Sequence, residues 1–209
     1  EHGKDLDNSA MLKRLMSKKI QYVICHTVQS PVATMLKDAV RLNVKAGSFG
    51  EAGKLTFMGA HYTGGADLVA LAGAASEGFL WTCSYNLTSE GNAKAKEQLA
   101  LAQRYGRDAK AANSHNYAAG ILQAQIPTYA ILQAKKAGLK ITPANLFKTL
   151  RQMSGANAFD SFAAVSQVSF SKTDRIGVDS VNIYEVKKGV FKAVSSIESQ
   201  FMKKVRACM

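Results

Sequence analysis

The clearest pattern of hydrophobic and polar positions runs from residue 55 to residue 82, LTFMGAHYTGGADLVALAGAASEGFLWT. A short apolar run, 55–58, is followed by a polar loop, a segment of small residues with apolar positions at helical spacing, and a second apolar run, 79–82. Strand, loop, helix and strand in this order predict a βαβ unit, which implies a parallel sheet covered by helices. We therefore expect an α/β fold.

Two polar loops follow apolar runs that read as strands. The run 55–58 leads into His61-Tyr62-Thr63, and an earlier run, 20–25, ends at His26-Thr27-Val28-Gln29. The near-continuous apolar character of 20–25 predicts a strand buried on both faces. Ligands of parallel sheets bind beyond the carboxyl ends of the strands, so these two loops are the candidate site.

The remaining hydrophobic spacing predicts further helices and strands. Asn8 or Ser9 is expected to cap the start of one helix. The Ser30-Pro31 pair is expected to begin another, because proline loses no helical hydrogen bond at the first position. Pro127 falls within the longest predicted helix and is expected to kink it. The other predicted elements are helices over 92–105, 114–137 and 144–153, strands over 165–170, 181–186 and 190–191, and a basic tail over 202–208.

The formal net charge of +12 raises nucleic acid as a partner. The basic residues are spread along the helices and do not alternate with aromatic residues, so we expect a solvated basic surface and no nucleic-acid partner. Cys25 and Cys83 lie in or beside apolar runs and are expected to be buried. The sequence has no CxxC pair and no His/Cys ligand spacing, so we predict no metal site.

Motifs for catalysis are missing from the sequence. There is no G-x-S-x-G, no HExxH and no P-loop, and Gly47, Gly50 and Gly53 do not form GxGxxG. His26 and His61 follow two strands that can be neighbours, but neither loop supplies the acidic third group that an acid–base or metal pair needs. We expect a binding protein without catalytic residues or cofactor, and not a Rossmann-type enzyme.

Three stretches carry a resemblance to a known family: MLKRLMSKKIQYVICHTVQSPVATMLKDAVRLNV, then FMG with ADLVALAGAASEGFLWT, and VSFSKTDRIGVDSVNIYEVKKGVF. They resemble parts of the type I periplasmic binding proteins, in particular the receptors for branched-chain amino acids that serve ABC importers. The resemblance covers about residues 7–191 and lacks the first half of a usual receptor. It implies a Rossmann-like lobe with a parallel sheet flanked by helices, plus part of a second lobe.

The resemblance also implies how the chain is divided. Residues 1–83 would form the ligand-binding lobe 2 without its start, 84–176 would return into lobe 1, and 177–209 would cross back and end in a tail. Such receptors close two lobes around a small solute and deliver it to a membrane permease. They work in the periplasm or outside the cell, and the start on Glu1 indicates a piece of a longer, processed protein.

Two loop positions match the family's ligand contacts. Val28 stands where the family has an aromatic contact, and His61 stands where it has an acidic residue that holds the ligand's α-ammonium group. Both depart from the amino-acid-binding pattern, which favours a carboxylate, an aromatic acid or a neutral polar solute over an α-amino acid. The alternative is that His61 and Tyr62 only cap the sheet edge. The candidate ligand-binding residues are His26, Thr27, Val28, Gln29, His61 and Tyr62.

Other interpretations concern the role of the whole chain and its packing. A second hypothesis for function is a ligand-sensing regulatory module of a larger signalling or transcription protein with the same fold.

The helices within 84–175 carry wide apolar faces without the sheet of lobe 1. We expect them to pack on a second copy of the chain, as a homo-oligomer, or to belong to a longer protein. Trp81 and Tyr117 are predicted as core residues.

Overall fold

The structure, a computed structural model, describes residues 7–198. They form two compact units, one combining 7–83 with Ile183–Ser195 and the other combining 84–182 with 196–198. The basic tail predicted over 202–208, with Cys208, lies outside the described residues. Among residues 7–198, no helix combines the length and apolar character needed to cross a membrane.

The first unit alternates helices and short strands, as the hydrophobic pattern predicts. The elements of its continuous part are α1 (Ser9–Ser17), β1 (Tyr22–Cys25), α2 (Gln29–Arg41), β2 (Thr56–Gly59), α3 (Ala66–Ala72), a 3-10 turn (Gly73–Ser76) and β3 (Leu80–Cys83). β4 (Ser180–Lys187) and β5 (Val190–Glu198) contribute most of their residues to this unit and complete a five-stranded sheet in the order β1-β2-β3-β4-β5. The first three strands are parallel, which confirms the predicted α/β fold.

The core of this unit consists of apolar side chains contributed by the sheet and by the helices. α2 packs against α3 and also against α1. Cys25 and Cys83 are buried, as predicted. Burying each large apolar side chain contributes about 1.5–3 kcal/mol, so this core is the main source of the unit's stability. Its most fully buried members are Leu12, Val32, Leu36, Leu55, Phe57, Leu68, Phe79, Trp81 and Tyr184.

The prediction that 20–25 forms a strand buried on both faces is wrong. β1 is the first strand in the sheet order, and its Tyr22 and Ile24 are 45% and 75% exposed. An apolar run shows which residues tolerate burial, but actual burial requires a second layer over each face. Within the described residues of this unit, the layer over Ile24 is missing.

A tight turn joins β4 to β5, at the position that the sequence predicts. Lys188 and Gly189 both have positive φ, 55° and 72°, which is the backbone of a two-residue hairpin turn of type I′. The Glu77 carboxylate accepts hydrogen bonds from the backbone N–H groups of Lys188, at 2.8 Å, and Gly189, at 3.3 Å. The segment that precedes β3 thereby fixes the hairpin.

The second unit is mainly helical. Its helices are α4 (Ala93–Arg104), α5 (Ala109–Ala112), α6 (His115–Lys136) and α7 (Pro143–Leu150), with 3-10 turns at Thr88–Glu90 and Gly155–Asn157. Pro127 lies inside α6, as expected from the sequence. The N-terminal half of α6 packs on a cluster of buried side chains that includes Met153 and Val168.

The predicted strand over 165–170 is not formed. This segment makes only isolated antiparallel bridges, such as Phe159 with Val168 and Ser169 with Gly177. The side chain of Asn86 donates to the carbonyl oxygens of Phe162, at 3.1 Å, and of Ala164, at 2.8 Å. The N–H groups of Val165, Val168 and Phe170 donate to backbone carbonyl oxygens of three separate segments, so 165–170 has no continuous partner strand in the described unit.

Candidate functional site

β1 and β2 end side by side at one edge of the sheet. Cys25 at the end of β1 pairs with Gly59 at the end of β2, and Gly59 lies opposite Trp81 of β3. The loops that follow β1 and β2 therefore leave the sheet from adjacent positions. We call residues 26–29 and 60–65 together the rim.

All six candidate residues lie on the rim. Val28, which precedes α2, is 55% exposed, and Tyr62 is 64% exposed. Exposed apolar and aromatic side chains beyond the ends of parallel strands provide a surface against which a small solute can pack. The six divide by exposure into His26, Val28 and Tyr62, which are exposed, and Thr27, Gln29 and His61, which are half-buried.

Thr63 ties the two loops of the rim together. Its hydroxyl lies 2.7 Å from the carbonyl oxygen of Thr27 and 3.1 Å from that of Cys25, so one donor serves two backbone acceptors. Its backbone N–H donates to the carbonyl of Ala60 at 2.9 Å and closes a tight turn. Thr63 is fully buried, so its role is to hold the loops in place beneath the exposed side chains.

Gln29 makes a second link between the loops. Its side-chain amide nitrogen donates to the carbonyl oxygen of Gly64 at 3.1 Å. The structure thus places this predicted ligand contact on the rim, with its amide donor already engaged by the protein. The second N–H of this amide and its carbonyl oxygen are left for a ligand contact.

Trp81 supports the rim from below. Its indole Nε1 donates to the carbonyl oxygen of His61 at 3.0 Å. A Cβ atom added to Gly64 would lie only 2.2 Å from the indole ring, so the loop backbone passes directly over the ring. Trp81 is a fully buried core residue, as predicted, but no sequence pattern indicates that it also contacts the loop.

The rim contains no acidic residue, because neither 26–29 nor 60–65 includes Asp or Glu. Burial lowers the pKa of His61 below its ordinary value of 6.5, so this imidazole is mainly neutral at pH 7. Its ring makes an edge-to-face contact with Tyr62, with centroids 4.9 Å apart. The rim therefore presents a neutral, hydrogen-bonding and partly aromatic surface.

Cys25 is not a reactive group at this site. Burial raises the pKa of its thiol to about 12, so the thiol stays protonated at neutral pH. Its backbone carbonyl accepts from Ala60 N–H at 3.0 Å as well as from Thr63. Cys25 thus contributes through its backbone, as the end of β1.

A separate cavity of about 530 Å³ lies within the second unit. Its walls are mostly apolar and include Leu101, Ile121 and Phe162. Tyr117, predicted as a core residue, is half-buried, packs against the core cluster and also lines this cavity.

Comparison with known proteins identifies the family of the chain. The sequence profile of a family described as periplasmic binding protein matches residues 2–190. The chain belongs to this periplasmic binding protein family. The resemblance seen in the sequence and the type I fold expected from it are thereby confirmed. Comparison with curated proteins gives no match.

Solved structures of a transporter protein and of two binding proteins resemble this periplasmic binding protein chain. A branched-chain amino acid ABC transporter protein from Thermus thermophilus, with bound valine, is 37% identical, with a TM-score of 0.84 over 97% of this chain and 52% of that chain. The leucine-binding protein LivK from Thermotoga maritima is 21% identical, with a TM-score of 0.67 over 95% and 50% of the two chains.

A third structure of this kind is the substrate-binding protein LivJ from Streptococcus pneumoniae in complex with isoleucine. It is 17% identical, with a TM-score of 0.69 over 94% of this chain and 50% of that chain. At this identity, LivJ and LivK support the fold alone. This periplasmic binding protein chain spans about half the length of all three structures. Their names describe transporter or binding proteins, not enzymes.

Proposed function

We propose that the chain is part of a solute-binding receptor of an ABC importer, and that the rim forms one wall of its solute site. The observation that carries the proposal is the side-by-side ending of β1 and β2, which brings two polar loops together where ligands of parallel sheets bind. The 37% identity to a transporter protein with bound valine supports the same function.

In this proposal the first unit is lobe 2 without its start, and the second unit holds the segment that returns into lobe 1. Residues 177–209 cross back to lobe 2 and end in the tail. The two lobes close around the solute by a hinge motion, and the closed receptor delivers the solute to a membrane permease. The working location is the periplasm or the outside of the cell.

We further propose that the solute is a carboxylate, such as an aliphatic or aromatic acid, in preference to an α-amino acid. An ammonium group enclosed in a cleft needs an anionic partner, and the rim has no acidic side chain. The position that matches the family's ammonium contact holds His61, whose pKa is lowered by burial. The exposed Val28 and Tyr62 suit the apolar or aromatic body of such an acid.

The test is a titration of the full-length product of the gene that encodes this chain. Valine is compared with 3-methylbutanoate, which has the same skeleton without the ammonium group, and with valinamide, which lacks the carboxylate. Phenylacetate represents the aromatic acids. A solute at about 100 times its Kd is expected to stabilise the protein by roughly 2.7 kcal/mol.

The expected result is stabilisation by 3-methylbutanoate or phenylacetate and a weaker effect of valine. Stabilisation by valine alone would contradict the proposed solute class and leave the receptor function in place. If no member of the panel changes the melting temperature, the proposed receptor function for these solutes is wrong.

We also propose that the open apolar faces are covered by further protein, either a second copy or the rest of a longer chain. One such face is the surface of β1 that exposes Ile24, and another is the apolar surface that lines the cavity of the second unit. In sedimentation experiments, residues 1–209 alone are expected to self-associate. The full-length gene product is expected to sediment as a single species. A well-folded monomer of residues 1–209 would contradict this proposal.

A further inference from the structure

Trp81 is the only tryptophan of the chain, and its side chain is fully buried in the first unit. A buried strand position needs only an apolar side chain to fill its volume. Tryptophan adds one hydrogen-bond donor, and a buried indole N–H usually finds an acceptor. Here the acceptor is the backbone carbonyl of His61, 3.0 Å away and twenty residues earlier in the chain.

The same indole also contacts the loop at a second point. The backbone of Gly64 lies so close to the ring that an added Cβ atom would be 2.2 Å from Cγ and Cδ2. The loop is therefore held at His61 by a hydrogen bond and at Gly64 by close packing. Tyr62, which is 64% exposed, lies between these two contacts.

The indole is itself fixed by two aromatic neighbours in the same unit. Tyr184 on β4 lies with its ring centroid 5.4 Å from that of Trp81, at an interplanar angle of 34°. Phe191 on β5 meets Trp81 edge to face, with centroids 5.1 Å apart. Because both neighbours are buried strand residues, the ring has little freedom to follow a moving loop.

We propose that Trp81 is a positioning residue of the rim. Its indole N–H fixes the His61 peptide, and its ring sets the height of the loop backbone at Gly64. The side chains of His61 and Tyr62 are thereby presented in one arrangement, which reduces the ordering cost of binding. This inference rests on the proposed solute site, but the loop geometry can be tested without any solute.

The test compares Trp81→Phe with Phe191→Leu in the full-length gene product. Trp81→Phe keeps an aromatic ring and removes the N–H donor, whereas Phe191→Leu removes an aromatic neighbour and keeps the hydrogen bond to His61. Exchange of the Thr63 amide, which closes the turn to Ala60, reports the order of the loop without ligand. We expect its exchange to become at least about tenfold faster in Trp81→Phe than in Phe191→Leu, a difference equivalent to about 1.4 kcal/mol.

Affinity for valine and 3-methylbutanoate is measured on the same variants. For whichever probe binds the natural sequence, Trp81→Phe is expected to weaken binding about tenfold, and Phe191→Leu less than about threefold. If the two variants lose affinity equally, or if Thr63 exchange is unchanged in Trp81→Phe, the positioning role is wrong. If neither probe binds the natural sequence and phenylacetate does not bind either, the proposed solute class fails and the exchange data still decide the role of Trp81.

A measurement on the unchanged protein covers the case in which Trp81→Phe does not fold. Through-space contacts to the rings of Tyr184 and Phe191 identify the indole N–H signal of Trp81 by NMR. We expect this proton to be protected from exchange by its bond to His61. Exchange at the rate of a free indole would overturn the inference.

Discussion

The hydroxyl of Thr63 lies 2.7 Å from the carbonyl oxygen of Thr27, and this hydrogen bond joins the loop after β2 to the loop after β1. The two residues are 36 positions apart in the sequence. Adjacent parallel strands bring them together, and the hydrogen bond then fixes the spacing of the loops. The rim is therefore ordered by its buried residues before any solute arrives.

Thr63→Val is expected to destabilise the first unit by about 1–2 kcal/mol, because it leaves the Thr27 carbonyl without its donor while nearly preserving the side-chain shape. The matched control is Thr34→Val, which removes an exposed hydroxyl bonded to Ser30 within α2 and should change stability by less than about 0.5 kcal/mol. Urea unfolding of the full-length gene product, followed by the NMR signal of the Trp81 indole N–H, reports this unit. Equal losses in the two variants would contradict a specific link between the loops.

Gly64→Ala is expected to destabilise the first unit by about 3 kcal/mol, since the new methyl group would overlap the buried indole of Trp81. Gly47→Ala is the control, because an added Cβ there meets only a side-chain oxygen of Glu51, at 3.6 Å. The control should change stability by less than about 1 kcal/mol. The same urea titration measures both variants. If Gly64→Ala is as stable as the control, the loop backbone does not pack against the Trp81 ring.

His61 predicts a pH dependence of stability. Burial lowers its pKa in the folded protein below 6.5, so the unfolded chain binds a proton more readily. The stability contribution is fully present above about pH 6.5, and it is lost as the pH falls through the folded pKa. Unfolding free energies measured between pH 5 and pH 8, a window of about three units around the ordinary histidine value, should show this loss in the natural sequence. His61→Gln should remove this loss of stability at low pH. His26→Gln is the control, because it removes a histidine from the neighbouring loop and leaves His61 in place.

His61→Glu is expected to shift solute preference toward α-amino acids. A carboxylate at this position would supply the anionic partner that an ammonium group needs in a closed cleft. Valine affinity of the full-length gene product should rise at least about tenfold, and 3-methylbutanoate affinity should fall. His26→Glu places the same charge on the neighbouring loop and should have a smaller effect. If both variants respond alike, net charge and not position controls the preference.

Much of the first unit follows from local sequence patterns. The apolar runs identify β1, β2 and β3, and the Ser30-Pro31 pair correctly indicates the start of the helix over Gln29–Arg41. The same patterns cannot show that Ile24 is exposed, because burial depends on a covering layer that no local pattern encodes. Nor can they reject the strand predicted over 165–170, since the apolar residues Val165, Val168 and Phe170 are equally compatible with isolated bridges.

The rim shows the same division between local and long-range information. Placing polar loops at parallel strand ends required only the strand predictions, and the register confirms that these loops start side by side. The hydrogen bonds of Thr63 to Thr27 and of Trp81 to His61 cross between strands, and neither pair has a sequence spacing that identifies it. Such contacts follow from strand order and register, which the hydrophobic pattern alone does not specify.

The most direct test of the central claim, that the rim is a wall of the solute site, is hydrogen exchange of the full-length gene product with and without saturating solute. The solute is the panel member that gives the largest thermal stabilisation. Peptides that contain 26–29 and 60–65 are expected to exchange more slowly when it is bound, because the closed cleft shields them. Binding of the solute with unchanged exchange in both peptides would contradict the account.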